Sequence, residues 1–313
     1  MDPLRILAET RGFFTRAEAR ELGYDDRAMA AIMRSDIWLR IRRGYYTFPD
    51  LWPARDAVAQ HRVRAAAVFH ALGDVVALSH VSAALEHGLQ TWGVPLDRVH
   101  VTRLDGGAGR LEGDVVHHVG VGLDGEVVER GGKLVTSPTR SALEAGTLGT
   151  PESALVHLDS LLHLELDTHE GLFARFEMMA RWPHTRHLHI PVRMADGGSA
   201  SAGESRGRWL FRIGGLPAPA TQFEVRALDG RLIGTCDWGW PQHGLLGEFD
   251  GRTKYGRLLK PGMSAGEVVF AEKHREDLIR EASGCAMVRI IWDDLSRPEL
   301  TAARVRRLLR QSA

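Results

Sequence analysis

The sequence predicts a mixed α/β (α+β) protein in three parts: a winged helix-turn-helix over residues 1–50, a small α/β middle unit over 51–194, and a carboxylate-bearing α/β domain over 195–313. Three observations carry that reading. Residues 12–48 run as short helix, glycine turn, short helix and charged hairpin. Residues 57–181 mix helical periodicity with short β-rich runs. From Glu204 onward, acids fall at the ends of what read as one helix and two successive strands: Glu204, Asp237, then Glu248 and Asp250, with Lys254 just beyond.

In the first part, Leu4, Leu7 and Ala8 lie at helical spacing. Thr15 followed by Glu18 is a capping box, opening a helix through Ala17, Ala19 and Leu22 that Gly23 stops. Asp25 or Asp26 caps the next helix, through Met29, Ile32 and Met33. Residues 38–48 alternate, turn at Gly44 and alternate again, the pattern of a β-hairpin wing. Arg34, Arg40, Arg42 and Arg43 cluster there against a single acid, Asp36. Such a cluster beside a recognition helix neutralises DNA phosphates; the plainer reading is a solvated hairpin edge.

The segment GFFTRAEARELGYDDRAMAAIMRSDIWLRIRRGYYTF resembles the N-terminal domain of AbiEi-type antitoxins of type IV toxin–antitoxin systems, which use a winged helix to repress their own operon. The resemblance covers about the first 50 residues well and extends more loosely to about 190. It implies DNA and a toxin as partners. A winged helix that reads a palindrome works as a dimer as a rule, so a homodimer belongs to the same expectation.

Residues 57–72 read as a helix, and Ser79 as the cap of another. RVHVTRL, GDVVHHVGV and KLVTSPTRSALEAG read as two or three strands and a helix; SHVSAALEHGL, VHVTR and VTSPTRSAL recur in this order in AbiEi-like proteins. Helices are expected near 151–164 and 169–181. His80 and His87 are seven apart, on one face of a continuous helix, but a third metal ligand is missing, so packed histidines are the expectation. His184, His187 and His189 fit no zinc spacing. No GxxxxGKS or GxGxxG is present.

Residues 195–203 are the linker candidate. A helix from Glu204 closes at Gly214-Gly215; strands follow at Thr221–Leu228, Leu232–Trp238 and Leu245–Asp250, with Asp229-Gly230 as a hairpin turn. Glu248 and Asp250 share a strand face, and Asp237 ends the neighbouring strand. Asp237 and Glu248 lie inside apolar runs, where an unpaired charge is costly. Converging hard oxygens suit a divalent cation, which polarises a phosphodiester and acidifies an attacking water.

An antiparallel hairpin behind a helix, with Asp on one strand and Glu on the next, resembles the PD-(D/E)xK nuclease core, and more narrowly its Vsr-like branch. The resemblance implies a restriction-endonuclease-like domain in which Asp237 and Glu248 bind Mg²⁺ (or Mn²⁺), Phe249 offers a carbonyl, and Glu204 orients a water or ligand. One departure stands out: the position of the family's lysine is Asp250 here, leaving Lys254 or Lys273 for that role. Arg275 and Arg289 would hold the phosphate or the Glu248 region, and Lys273 and Arg275 extend the DNA-binding set. The basic stretch with Arg252, Lys254, Arg257 and Lys260 reads either as a backbone-tracking loop or as plain surface. The implied activity is Mg²⁺-dependent DNA cleavage in phage defence or repair. The alternative is an AbiEi-like antitoxin or repressor whose nuclease-like domain is inactive or binds a partner.

Composition agrees with several domains. The chain has 313 residues, 44% of them hydrophobic and 26% charged, which is more than one ordinary core holds. Net charge is zero, so DNA contact demands local clustering of cations. No apolar run reaches the ~20 residues of a membrane helix, and MDPLRILAETRGFF lacks the pattern of a signal peptide. Cys236 and Cys285 are too few for a disulfide framework and read as reduced core thiols. The expected location is the cytoplasm, with no membrane partner.

Overall fold

Helix caps and glycine turns place the N-terminal elements in the computed structural model, which describes residues 2–52, 56–120, 125–251 and 265–311. The chain divides into two compact units, one of residues 1–150 with 174–186 and one of 151–173 with 187–313. The first unit opens with α1 (Pro3–Arg11), β1 (Phe14–Thr15), α2 (Arg16–Glu21) and α3 (Asp26–Arg34). Thr15 and Glu18 form the capping box: the Thr15 amide donates to Glu18 Oε2 at 2.7 Å and the Glu18 amide to Thr15 Oγ1 at 3.2 Å. Asp25 caps α3 through the Ala28 amide at 2.7 Å. The wing is β2 (Leu39–Arg42) and β3 (Tyr45–Thr47), turning at Gly44 with φ +80°, and the sheet order is β1-β3-β2. Phe14, Trp38, Tyr46 and Phe48 fill its core with Leu4, Ala19 and Met29, and the Phe14 ring meets Trp38 edge-on at 4.8 Å. This is the winged helix that the spacing predicts.

The rest of this unit is a larger sheet than the two or three strands expected. Its order is β6-β7-β5-β4-β9-β8, from β4 (Val76–Leu78), β5 (Val99–Arg103), β6 (Arg110–Glu112), β7 (Val115–Val119), β8 (Val127–Arg130) and β9 (Lys133–Thr136). Three-residue strands such as β4 and the wholly exposed β6 are too short to show alternation, and they become strands only through their neighbours. The β5–β7 and β4–β9 pairs are parallel. α4 (Ala57–Leu72), α5 (His80–Glu86) and α6 (Pro138–Gly146) complete the unit, whose core gathers Val68, Leu78, Val99, Val101, Val115 and Val135. Arg140 on α6 is buried with Glu126 and Glu144, at 2.6 and 2.7 Å, and Arg175 also pairs with Glu126.

The second unit contains α7 (Pro151–His163), α9 (His189–Met194) and α10 (Ala202–Ile213); α8 (His169–Met179) precedes α9. Its sheet is β10 (Ala220–Arg226), β11 (Leu232–Trp240), β12 (Leu245–Asp250) and β13 (Ala286–Ile291), in sequence order. The first three strands are antiparallel and β13 joins β12 in parallel, after α11 (Ala265–Ser283). α12 (Trp292–Leu295) and α13 (Pro298–Gln311) follow. Gly230 turns the β10–β11 hairpin at φ +85°. Cys236 is a free buried thiol and Cys285 a free, partly buried one. Trp238, Trp240, Phe211, Ile290 and Val305 make the core. Among the described residues, no helix is long and apolar enough to cross a membrane.

α10 approaches this sheet through Gly207, where an added Cβ would overlap the Trp238 ring. In an exposed helix, Gly to Ala stabilises by ~1 kcal/mol. Here overpacking outweighs propensity: Gly207→Ala is expected to destabilise the protein by ~1–3 kcal/mol in urea unfolding. An unchanged or raised midpoint would show that the ring yields at no cost.

Candidate functional site

Strand pairing brings three of the expected acids together. Trp238 lies opposite Gly247 across β11 and β12, so Asp237 and Glu248 reach the same strand end. They line a pocket of about 220 Å³ with Asp250, Thr235, Phe249, Arg275 and Arg289. Asp237 Oδ2 accepts the Phe249 amide at 2.6 Å, which pins its carboxylate across the two strands. Glu248 is nearly buried and doubly paired: Arg275 Nη2 donates to Oε1 at 2.5 Å, and Arg289 Nη2 lies 3.5 Å from Oε2. Arg289 also reaches Asp250 at 3.8 Å and Glu276 at 3.0 Å. Burial with Glu248 and Asp237 nearby pushes the Cys236 thiol up to about 12, so it is no nucleophile at neutral pH.

The donor set of Asp237 and Glu248, hard carboxylate oxygens, is of the type that Mg²⁺ takes. In this structure Arg275 occupies Glu248 Oε1, so an ion there would have to displace it. Arg275 is about 39% exposed, which leaves that exchange open to solvent.

Glu204 does not line this pocket. It sits at the third position of α10 and works as part of its cap, accepting from Ser201 Oγ at 2.6 Å and from the Ala200 amide at 2.9 Å. The Ser201-x-x-Glu204 spacing carries that signal, as Thr15-x-x-Glu18 does in α2. Lys273 is exposed on α11 and is not among the lining residues. Lys254, with Arg252, Arg257 and Lys260, lies outside the described residues.

In the winged helix, Arg34 at the end of α3 and Arg40 and Arg43 in the wing are exposed. Arg42 is not one of that row. It is half-buried over the Tyr45 ring at 5.7 Å and comes within 4.0 Å of Asp114. The exposed row is therefore Arg34, Arg40 and Arg43, with Arg16 and Arg20 both drawn onto Asp26.

A second cluster, unsuspected from the sequence, lies in the six-stranded sheet. His100 on β5 and His118 on β7 face each other, Nδ1 to Nε2, at 2.9 Å. The His80 ring stacks on His118 with centroids 3.7 Å apart. Burial lowers the pKa of all three, His100 down to about 2, which keeps the imidazoles neutral. His87 is elsewhere, with Nε2 bonded to the Thr136 carbonyl at 2.7 Å. The histidines that His80 lacks in its own helix come from strands that no local spacing connects to it.

The family model for AbiEi antitoxin transcriptional regulators matches residues 1–49. No curated protein matches the chain. The RV2827C protein from Mycobacterium tuberculosis, known from a crystal structure, is similar over 65% of this chain and 78% of its own, at 15% identity and a TM-score of 0.38. A likeness of that degree carries no inference about fold or function.

His157 on α7 is fully buried, and among the described residues neither ring nitrogen finds a hydrogen-bond partner. Desolvation pushes its pKa from 6.5 down to about 4. The unfolded chain therefore takes up a proton that the folded chain refuses. This contribution to stability is complete above about pH 6.5 and is lost as pH falls through about 4. Unfolding midpoints measured across that window are expected to drop, and His157→Phe to give a shallower slope. Identical slopes for the two proteins would refute the assignment.

Proposed function

We propose that the chain is a DNA-binding transcriptional regulator of the antitoxin class that grips DNA through its N-terminal winged helix. The observation that carries this reading is the exposed row Arg34, Arg40 and Arg43, set on a helix end and a hairpin that share one aromatic core. The family match over residues 1–49 supports it. In this reading α3 enters the major groove, and the wing arginines take phosphates on either side. Rigid mounting matters because the backbone that carries the arginines then loses little freedom on binding. A cognate toxin, and a homodimer on a palindromic operator, belong to the same proposal.

A second reading rests on the pocket of Asp237, Glu248, Asp250, Arg275 and Arg289. An antiparallel hairpin behind a helix, with Asp and Glu on adjacent strands, is the arrangement on which the resemblance to Vsr-like PD-(D/E)xK nucleases rests. Asp237 and Glu248 would hold Mg²⁺ or Mn²⁺. When bound, the ion supplies Lewis-acid polarisation and an acidified water. The Phe249 amide keeps Asp237 aimed at the pocket, while Arg275 and Arg289 offer bidentate donors to phosphate oxygens. The double pairing of Glu248 with arginines is equally suited to a domain that has no catalytic ion, which is why the regulator reading stands first.

Binding to DNA of the chain's own upstream region is expected to weaken with Arg34→Ala, Arg40→Ala and Arg43→Ala. Each lost phosphate contact lowers the slope of log K against log salt by ~0.9. Arg42→Ala should lower thermal stability more than DNA affinity. A footprint indifferent to the three exposed arginines would remove the regulator reading.

For the second reading, plasmid DNA with Mg²⁺, Mn²⁺ or EDTA is the assay. Metal-dependent nicking that disappears in both Asp237→Ala and Glu248→Ala is the expected result. Absence of cutting with DNA binding retained would leave the second unit as a partner-binding domain.

A further inference from the structure

We propose that His80, His100 and His118 form a binding site for a divalent transition-metal ion of the zinc class, with a fourth coordination position open to the adjoining cavity. Each residue offers one ring nitrogen, and these atoms all lie within 4.8 Å of one another. Tetrahedral zinc with Zn–N bonds of about 2.0–2.1 Å needs nitrogens roughly 3.4 Å apart. The rings lie within 16–29° of parallel, so an ion would turn them out of this stack until their in-plane lone pairs converge on it. The donor set is imidazole alone, which selects zinc and its transition-metal neighbours over Mg²⁺ or Ca²⁺.

The three rings are held by structure of long range. Parallel pairing of β5 with β7 sets His100 opposite Val116 and Thr102 opposite His118, so the two histidines are diagonal neighbours on one sheet face. His80 is brought to them by an unusual backbone. It is the first residue of α5 and has φ +51°, a left-handed conformation that side chains with a Cβ rarely adopt. That conformation is clamped on both sides: the Ser79 amide donates to the His100 carbonyl at 3.0 Å, and the His80 amide donates to Glu144 Oε2 at 3.2 Å. Strain of this kind persists where the surroundings fix a side chain for a task.

Glu144 also stands behind the ring. Its Oε2 is 3.6 Å from His80 Nδ1, and Ser79 Oγ is 3.1 Å from the same nitrogen. A carboxylate behind a histidine sets the tautomer of metal ligands and leaves the other nitrogen for the ion. Here that nitrogen is Nε2. Arg140 fixes Glu144 in turn, at 2.7 Å. In front of the rings lies a cavity of about 530 Å³. Arg98, Thr147, Met179, Trp182 and His184 are among its walls, and in this site water or a small anion, rather than His184, takes the fourth position. This site belongs to the first unit and owes nothing to the carboxylate pocket.

The test uses the full chain, purified without a polyhistidine tag, stripped with chelator and dialysed. Zn²⁺ is titrated by calorimetry, and Co²⁺ is followed by visible absorption. The expected result is one Zn²⁺ per chain and the intense bands of tetrahedral Co²⁺. Both are lost in His118→Gln and kept in His184→Asn, a cavity residue outside the triad. Losing a ligand should cost more affinity than the roughly 10–100-fold that follows loss of a partner behind one. The Co²⁺ spectrum of the unsubstituted chain decides the matter even where the variant fails to fold. No stoichiometric uptake, octahedral bands, or uptake unchanged in His118→Gln would each overturn the proposal and leave a proton-bridged imidazole stack.

Discussion

The Arg140 guanidinium is the pivot of the first unit. It is almost wholly buried, and it is held by Glu126 on one side and Glu144 on the other. A buried cation is tolerated only when paired and hydrogen-bonded, and removing one partner strands the other. The pairing therefore fixes where α6 lies over the sheet, and with it the position of Glu144. Glu144 then holds the amide of His80 and stands behind its ring. The orientation of His80 on the cavity wall is thus set by one ion-pair network.

The second unit uses the same chemistry in a looser form. Glu248 is buried against Arg275 and Arg289, but both arginines are more than a third exposed. Such pairs are weak and screened, so they can open to admit another partner. A dry Arg–Glu pair holds a geometry, whereas a wet one exchanges readily with solvent. Asp237 is the fixed point of that pocket because a backbone amide across the strands grips it.

The winged helix is different again, since it holds cations outward. Phe14, Trp38, Tyr46 and Phe48 interlock beneath α3 and the hairpin, which lets Arg34, Arg40 and Arg43 stand on a stiff surface. A neutral chain with 40 basic and 40 acidic residues meets DNA only where the two signs are separated in this way.

What the amino-acid order decided by itself is whatever depends on neighbours a few positions apart. The Thr15–Glu18 capping box, the glycine turns at Gly44 and Gly230, the bounds of α4 and the strands bearing Asp237 and Glu248 were legible because caps, turns and alternation are local. The same local signal at Ser201 explains Glu204, whose carboxylate closes a helix rather than joining the acids. Tertiary structure decided the rest. Arg42 turned towards Asp114, three-residue strands were recruited into a six-stranded sheet, and His80 on α5 met His100 and His118 on parallel strands. The physical reason is one of range: these pairings join residues separated by long stretches of chain, so their energy exists only once the sheet has closed and water has left it.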